Sequence, residues 1–163
     1  MRLIIKNKLF SLRGSSYVKY ENGDNAYVVK GKLFSITKKK FLYDLNGNKI
    51  YMIRNKWWRL FMNSALIYDA NKNLVVRIKQ KFGFRKTFKF IGYKDDIKVD
   101  GNFWGWNLTI YKNDQAIGTI SRRLDWTDSF VLETNESNDI PLMIAIVIAI
   151  DNIFDKNIDD SNN

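Results

Sequence analysis

From Leu3 to Glu133 apolar and polar residues alternate in short runs separated by clusters of Asn, Asp and Gly. That period of two is the signature of strands with one buried face. The alternation predicts about twelve strands, six of them at Leu3 to Phe10, Tyr17 to Tyr20, Ala26 to Lys30, Lys40 to Tyr43, Lys49 to Asn55 and Ser64 to Tyr68. The others are Leu74 to Lys81, Thr87 to Ile91, Ile97 to Val99, Asn107 to Tyr111, Ala116 to Arg122 and Asp128 to Glu133. A hairpin theme recurs in "KYENGDNAYVVK", "LYDLNGNKIYMIR", "IYDANKNLVVRIK" and "IYKNDQAIGTISR", with Tyr20, Tyr43, Tyr68 and Tyr111 in equivalent places before a polar turn. The intervals differ, so a hairpin unit recurs without a strict solenoid period.

The pattern changes at "IPLMIAIVIAIDNIF", Ile140 to Phe154. Alternation of Ile144, Ile146, Ile148 and Ile150 with small residues would also suit a strand. Asp139 as a cap, Pro141 in a first turn and Ile153 and Phe154 at helical spacing beyond Asp151 favour a helix of about four turns. Crossing a bilayer takes about 20 apolar residues, more than this run supplies before its acids arrive. Apolar on nearly every side, the helix should be enclosed by protein. Many antiparallel strands without a second layer close most economically into a barrel, which removes exposed edges. Twelve strands enclose more space than their own side chains fill, because about eight already suffice for that. The fold class expected is therefore mainly β, a closed antiparallel barrel around a central buried C-terminal helix. One domain spans 1–155, with a polar acidic tail at 156–163.

The 163 residues carry a net charge of +10, unevenly spread. Residues 1–133 hold 26 of the 27 Lys and Arg and 11 of the 17 acids, so the body is +15 and the remainder is −5. A cationic body attracts phosphate-bearing partners, lipid headgroups or nucleic acid, and also keeps a protein soluble. With no cysteine or histidine the chain has no disulfide, thiolate site or His-based catalytic triad. Phosphate-loop, dinucleotide and nucleophile-elbow motifs are likewise missing. "DANKN", Asp69 to Asn73, begins like a calcium loop, but Leu74 and Gln80 stand where its glycine and glutamate belong, so it is a turn. Asp95, Asp96 and Asp100 lack any partner motif. No catalytic residue, cofactor or metal is assigned, and the protein is expected not to be an enzyme. Lys6, Lys8 and Arg13 interrupt the N-terminus before a signal-like core forms, which predicts a cytoplasmic protein. Its many Asn, Lys and Ile residues suit an AT-rich bacterial genome.

The stretches "KNKLFSL", "YENGDNAYVVKGKLFSI", "YDLNGNKIYMI", "GNFWGWNLTIY" and "MIAIVIAIDNIFD" run in order along nearly the whole chain. On these the sequence resembles the LURP-one-related (LOR) family of the tubby C-terminal-like superfamily, and more distantly the phospholipid scramblases. The resemblance implies a twelve-stranded barrel around a hydrophobic helix. It also implies a binding module, since tubby-like domains bind phosphoinositides through basic residues of the barrel wall. No tubby headgroup ligand can be matched to a residue here, so the wall is judged on its own side chains.

In "VVRIKQKFGFRKTFK" the alternation puts Arg77, Lys79 and Lys81 on one strand face and Val76 and Ile78 on the other, with Arg85, Lys86 and Lys89 following. Facing outward, these six cations would suit phosphate contact, or form a solvated face. In "RNKWWRLFMN", Trp57, Trp58 and Arg59 lie beside Arg54 and Lys56, a mixture that suits a membrane interface or a plug at one barrel end. The expected partner is an anionic lipid surface, which would make the protein peripheral at the inner membrane face. Nucleic acid is the alternative, opposed by the absence of a recognition helix and by acids such as Asp151 and Asp155 near the C-terminus; a protein-interaction scaffold is a third reading.

Overall fold

The computed structural model describes residues 1–6, 15–31, 37–56, 64–81, 87–123, 129–135 and 137–161, the last seven of these by backbone alone. Twelve strands form in chain order: β1 Arg2–Lys6, β2 Ser15–Tyr20, β3 Asn25–Gly31, β4 Lys40–Tyr43, β5 Lys49–Asn55 and β6 Ser64–Asp69. There follow β7 Leu74–Lys81, β8 Thr87–Gly92, β9 Ile97–Asn102, β10 Asn107–Lys112, β11 Gln115–Arg123 and β12 Ser129–Glu133. A 3-10 turn at Ser137–Asp139 leads into the helix α1, Ile140–Ser161. Each alternation read from the sequence corresponds to one strand; Asn7 to Phe10 of the first and Asp128 of the last lie outside the described residues. The helix, at 22 residues, outruns the four turns expected, because no Gly or Pro stops it after Phe154.

All strands join one antiparallel sheet in the order β8-β7-β6-β5-β4-β3-β2-β1-β12-β11-β10-β9. The sheet rolls up around α1, with β1 paired to β12 from Arg2↔Glu133 to Lys6↔Ser129. The barrel is nearly closed. β8 and β9 lie side by side, yet no ladder of backbone hydrogen bonds joins them.

Period-two patterning decides what fills the interior. Leu3, Ile5, Leu42, Ile53, Ile67, Ile78, Ile110 and Ile120 point inward and are fully buried, each burial worth about 1.5–3 kcal/mol. They meet Met143 to Ile150, every side chain of which is wholly buried. The window Ser137–Phe154 has the length and composition to cross a bilayer; here the strands take the place of lipid. Close approach needs room, and Gly118 provides it on β11, where an added Cβ would meet Glu133 O and Met143 Cε at 2.4 Å each.

Polar contacts tie the helix to the wall at both mouths of the barrel. At the helix start the Asp139 carboxylate accepts from Lys112 Nζ at 2.8 Å, with Asp95 at 3.7 Å from the same ammonium. At the opposite barrel mouth, in the middle of the helix, Asn55 Nδ2 donates to the Asn152 carbonyl at 3.0 Å and Asn152 Nδ2 to the Lys38 carbonyl at 3.1 Å. Lys40 and Asp151 are buried inside the same barrel mouth, at 3% and 5% exposure. Buried charges persist only where opposite charge or hydrogen bonds compensate them. Asp151 is therefore an interior group, which removes it from the surface acids expected to repel a polyanion.

The recurrent hairpins share more than a tyrosine. Asp44 and Asp69 each accept from both the backbone N–H and side-chain amide of the Asn four residues on, Asn48 and Asn73, at 2.8 to 3.0 Å. These side-chain hydrogen bonds hold both carboxyls below the usual carboxylate range. "DANKN" is thus a turn whose acid is spent on its own backbone. Tyr43, Tyr68 and Tyr111 each carry a cation from the preceding strand over the ring, Lys30 at 4.9 Å, Arg54 at 5.3 Å and Lys98 at 5.6 Å.

Two measurements test this packing. Ile146→Asp strands a carboxylate in the barrel axis and should abolish the near-UV circular dichroism and the cooperative urea transition, whereas Ile146→Val should cost about 0.5–1.5 kcal/mol. A wild-type midpoint for the Asp variant would mean the helix is not enclosed. The hydrogen bond to Asp139 is the chief cause that raises Lys112 above the ordinary lysine value of 10.5. A raised lysine stabilises fully below its unfolded pKa and loses that contribution as pH climbs through the folded one. The wild type should therefore exceed Lys112→Met in urea midpoint by a constant margin from neutral pH up to about pH 10, and the margin should close above it.

Candidate functional site: a basic wall beside an open seam

The two ends of the barrel differ in charge. Where α1 begins, the tight turns and flanking residues carry Glu21, Asp24, Asp44, Asp69, Asp95, Asp96, Asp114, Glu133 and Asp139 against Arg2, Lys49, Lys72, Lys94 and Lys112. Where it finishes, the strands end in Lys6, Lys81, Arg122 and Arg123, with Lys56 just past β5, and the described acids nearby are the buried Asp151 and Asp100. Asp100 is paired with Lys98 at 3.0 Å. The helix C-terminus carries a partial negative charge, so its direction favours cations at this end.

On β7 the expected alternation holds. Val76 and Ile78 are fully buried, while Arg77 and Lys79 are half-buried on the outer face and Lys81 is exposed. Lys89 is exposed on the outer face of β8, directly opposite Lys79, with Arg77 opposite Ile91 and Lys81 opposite Thr87. The structure thus brings Arg77, Lys79, Lys81 and Lys89 onto one surface. Arg85 and Lys86 lie outside the described residues, as do Trp57, Trp58 and Arg59.

The register adds two cations that the sequence left in a separate candidate. Arg54 on β5 faces Leu66 on β6, which faces Arg77, so the three share an outward row. Lys56 donates its backbone N–H to Ser64 O at 2.9 Å, and Ser64 faces Lys79, so a second row runs Lys56, Ser64, Lys79, Lys89; the β6 members of the two rows, Leu66 and Ser64, are themselves buried. These residues are far apart along the chain; the available signal was that Arg54 shares the alternation phase of exposed strand positions.

Among the described residues no ion pair reaches Arg77, Lys79, Lys81 or Lys89. Arg54 is held by Tyr68, its Nη2 donating to the phenol oxygen at 3.0 Å. Arg77 Nε is buried with no hydrogen-bond acceptor. Like charges directly opposite in a ladder are destabilising, so Lys79 against Lys89 is a local cost of the fold.

The seam beside this wall is closed by rings in place of backbone hydrogen bonds. Phe88 of β8 meets Phe103 at 4.8 Å between centroids, Phe90 stacks on Phe103 at 6.4 Å, and Phe154 of α1 lies 5.6 Å from Phe88. Trp106 lies 4.2 Å from Phe130 and 5.5 Å from Phe154. Of the "GNFWGW" aromatics, Phe103 and Trp106 are therefore core, and Trp104 at 60% exposure is a rim residue. The hairpin that carries them needs Gly101, at φ +128, where a Cβ would stand 2.2 Å from Asn107 O. Between the diverging strands a notch of about 590 Å³ is lined by Thr87, Phe88, Val99, Asp100, Phe103 and Trp104, with the exposed Gly101 and Asn102 completing its rim.

The chain is thus of the class of antiparallel twelve-stranded barrels plugged by their own C-terminal helix. The description that matches, over residues 1–151, is LURP-one-related, and the chain belongs to that family. Among solved structures it is similar to a protein of Arabidopsis thaliana determined by X-ray crystallography, with TM-score 0.61 and 16% identity over 93% of this chain and 91% of that one. At that identity the likeness concerns the fold. No curated protein sequence matches the chain.

If the lysine pair is a cost retained for binding, relieving it should stabilise the protein. Lys89→Glu places opposite charges across the ladder and should raise unfolding free energy by about 0.2–1 kcal/mol in urea titration. A lower stability than wild type would show that the two ammonium groups do not oppose one another.

Proposed function

We propose that the protein is a non-enzymatic binding module that docks on anionic phospholipid surfaces through the outer face of β5 to β8. The observation that carries this reading is the outward lattice of Lys56, Arg77, Lys79, Lys81 and Lys89, in which Lys79 and Lys89 face each other and no described acid answers the β7 and β8 cations. The planar guanidinium of Arg77 suits bidentate contact with a phosphate, and the ammonium groups of Lys79, Lys81 and Lys89 add point charges beside it. Each cation near an anionic membrane contributes about 1 kcal/mol, so several together give reversible, salt-sensitive attachment of a peripheral protein at the cytoplasmic leaflet.

Co-sedimentation with phosphatidylserine-containing and pure phosphatidylcholine vesicles across a salt series tests the reading. Binding should favour the anionic vesicles, weaken with salt and disappear in the triple variant Arg77→Glu, Lys79→Glu, Lys81→Glu. Retention by the triple variant would end the proposal. Tighter, salt-dependent capture of a single-stranded oligonucleotide would transfer the wall to nucleic acid.

A further inference from the structure

The seam raises a question that a headgroup-docking wall leaves open. A barrel gains most by pairing its last edges, because unpaired N–H and C=O groups on neighbouring strands are a liability. Here β8 and β9 are consecutive and antiparallel, joined through residues 93–96, yet they share no ladder. Rings fill the space where backbone bonds would run, and toward the helix C-terminal end the strands leave the notch between Phe88 and Trp104.

Two features of that notch point to the same kind of occupant. Its walls are apolar where they are deep, at Phe88, Val99 and Phe103, each less than 10% exposed, and the large indole of Trp104 stands at the lip. The charges nearest the notch differ on its two sides. On the β9 side Asp100, which lines it, is paired with Lys98 at 3.0 Å. On the β8 side Lys89 projects outward next to notch-lining Phe88, opposite Lys79, with no ion pair among the described residues.

We propose that the β8–β9 notch takes one hydrocarbon chain of an anionic amphiphile whose phosphate rests on Lys89 and Lys79. The inference builds on the docking reading and adds to it that the protein holds a single lipid chain, in addition to touching a surface of headgroups. A volume of about 590 Å³ falls within the ~300–1,000 Å³ of small-molecule sites. Charge complementarity selects an anion, and the apolar depth selects an alkyl chain over an extended peptide, whose backbone groups would need polar partners on both sides.

The test is calorimetric titration of the full chain with butyl, hexyl and octyl phosphate below their micellar concentrations, near-UV circular dichroism verifying that the protein stays folded. Each added methylene should tighten binding by about fourfold, so octyl phosphate should bind on the order of a hundredfold tighter than butyl phosphate. Trp104→Ala, at an exposed position, should flatten that dependence, and Lys89→Glu should weaken the whole series in parallel. Equal affinity for all three phosphates, or an undiminished dependence in the Trp104 variant, would overturn the chain site. If anionic vesicles still bind in that case, only the notch fails; if they do not, the docking reading fails with it. An extended Asp- and Glu-rich peptide that displaces octyl phosphate and binds more tightly than it would assign the notch to an added strand and overturn the proposal.

Discussion

Enclosure of an all-round apolar helix is the constraint from which the rest of the molecule follows. Met143 to Ile150 have no polar face to offer water, so the helix is tolerable only where protein surrounds it. A single sheet face could cover one side of such a helix; only a sheet rolled through a full turn covers all of them. The strand number is the other half of the same requirement. Twelve strands make an interior too wide to be filled by their own side chains, and the helix supplies the missing volume. Neither part is stable without the other. The polar contacts at Lys112–Asp139 and Asn55–Asn152 set how far along the barrel axis the helix sits.

That central element also imposes direction on the outside. Every described tight turn of the hairpin theme falls at the end where the helix starts, and there the acids accumulate, several of them spent on turn geometry, as at Asp44 and Asp69. At the opposite end the strands finish in lysine and arginine, in line with the helix dipole. The basic wall is therefore part of a longitudinal charge separation, and β7 and β8 are where it reaches the strand faces. A lysine facing a lysine across a ladder is a poor choice for stability, and the fold tolerates it because the inward partners on the same strands, Val76 and Ile78, are fully buried.

The seam shows that closure and hydrogen bonding are separable. A barrel with eleven ladders and one ring-filled gap has given up some backbone pairing and gained a place where strands can diverge without unravelling. The compensating interactions are few and large: Phe88, Phe90, Phe103, Trp106 and Phe154 draw both edges and the helix together. Aromatic pairs contribute about 0.5–1.5 kcal/mol beyond their buried area, enough to hold an edge, and they leave apolar surface beside it.

Much of this was legible along the chain. Twelve alternations, four Tyr-plus-turn hairpins and a C-terminal run without a polar face determined the strands, the inward residues and the need for enclosure, because burial of alternate side chains is a local property of each strand. The outward placement of Arg77, Lys79 and Lys81 followed from the same parity. What the chain could not disclose depends on register between distant segments. That Arg54 and Lys56 join the rows of Arg77 and Lys79, that Lys89 faces Lys79, that Asp151 and Lys40 are interior, and that one seam out of twelve is closed by rings were decided by tertiary structure. A one-residue slip in any ladder would turn those side chains to the other face, and only the assembled sheet, wound around its helix, selects the slip that packs.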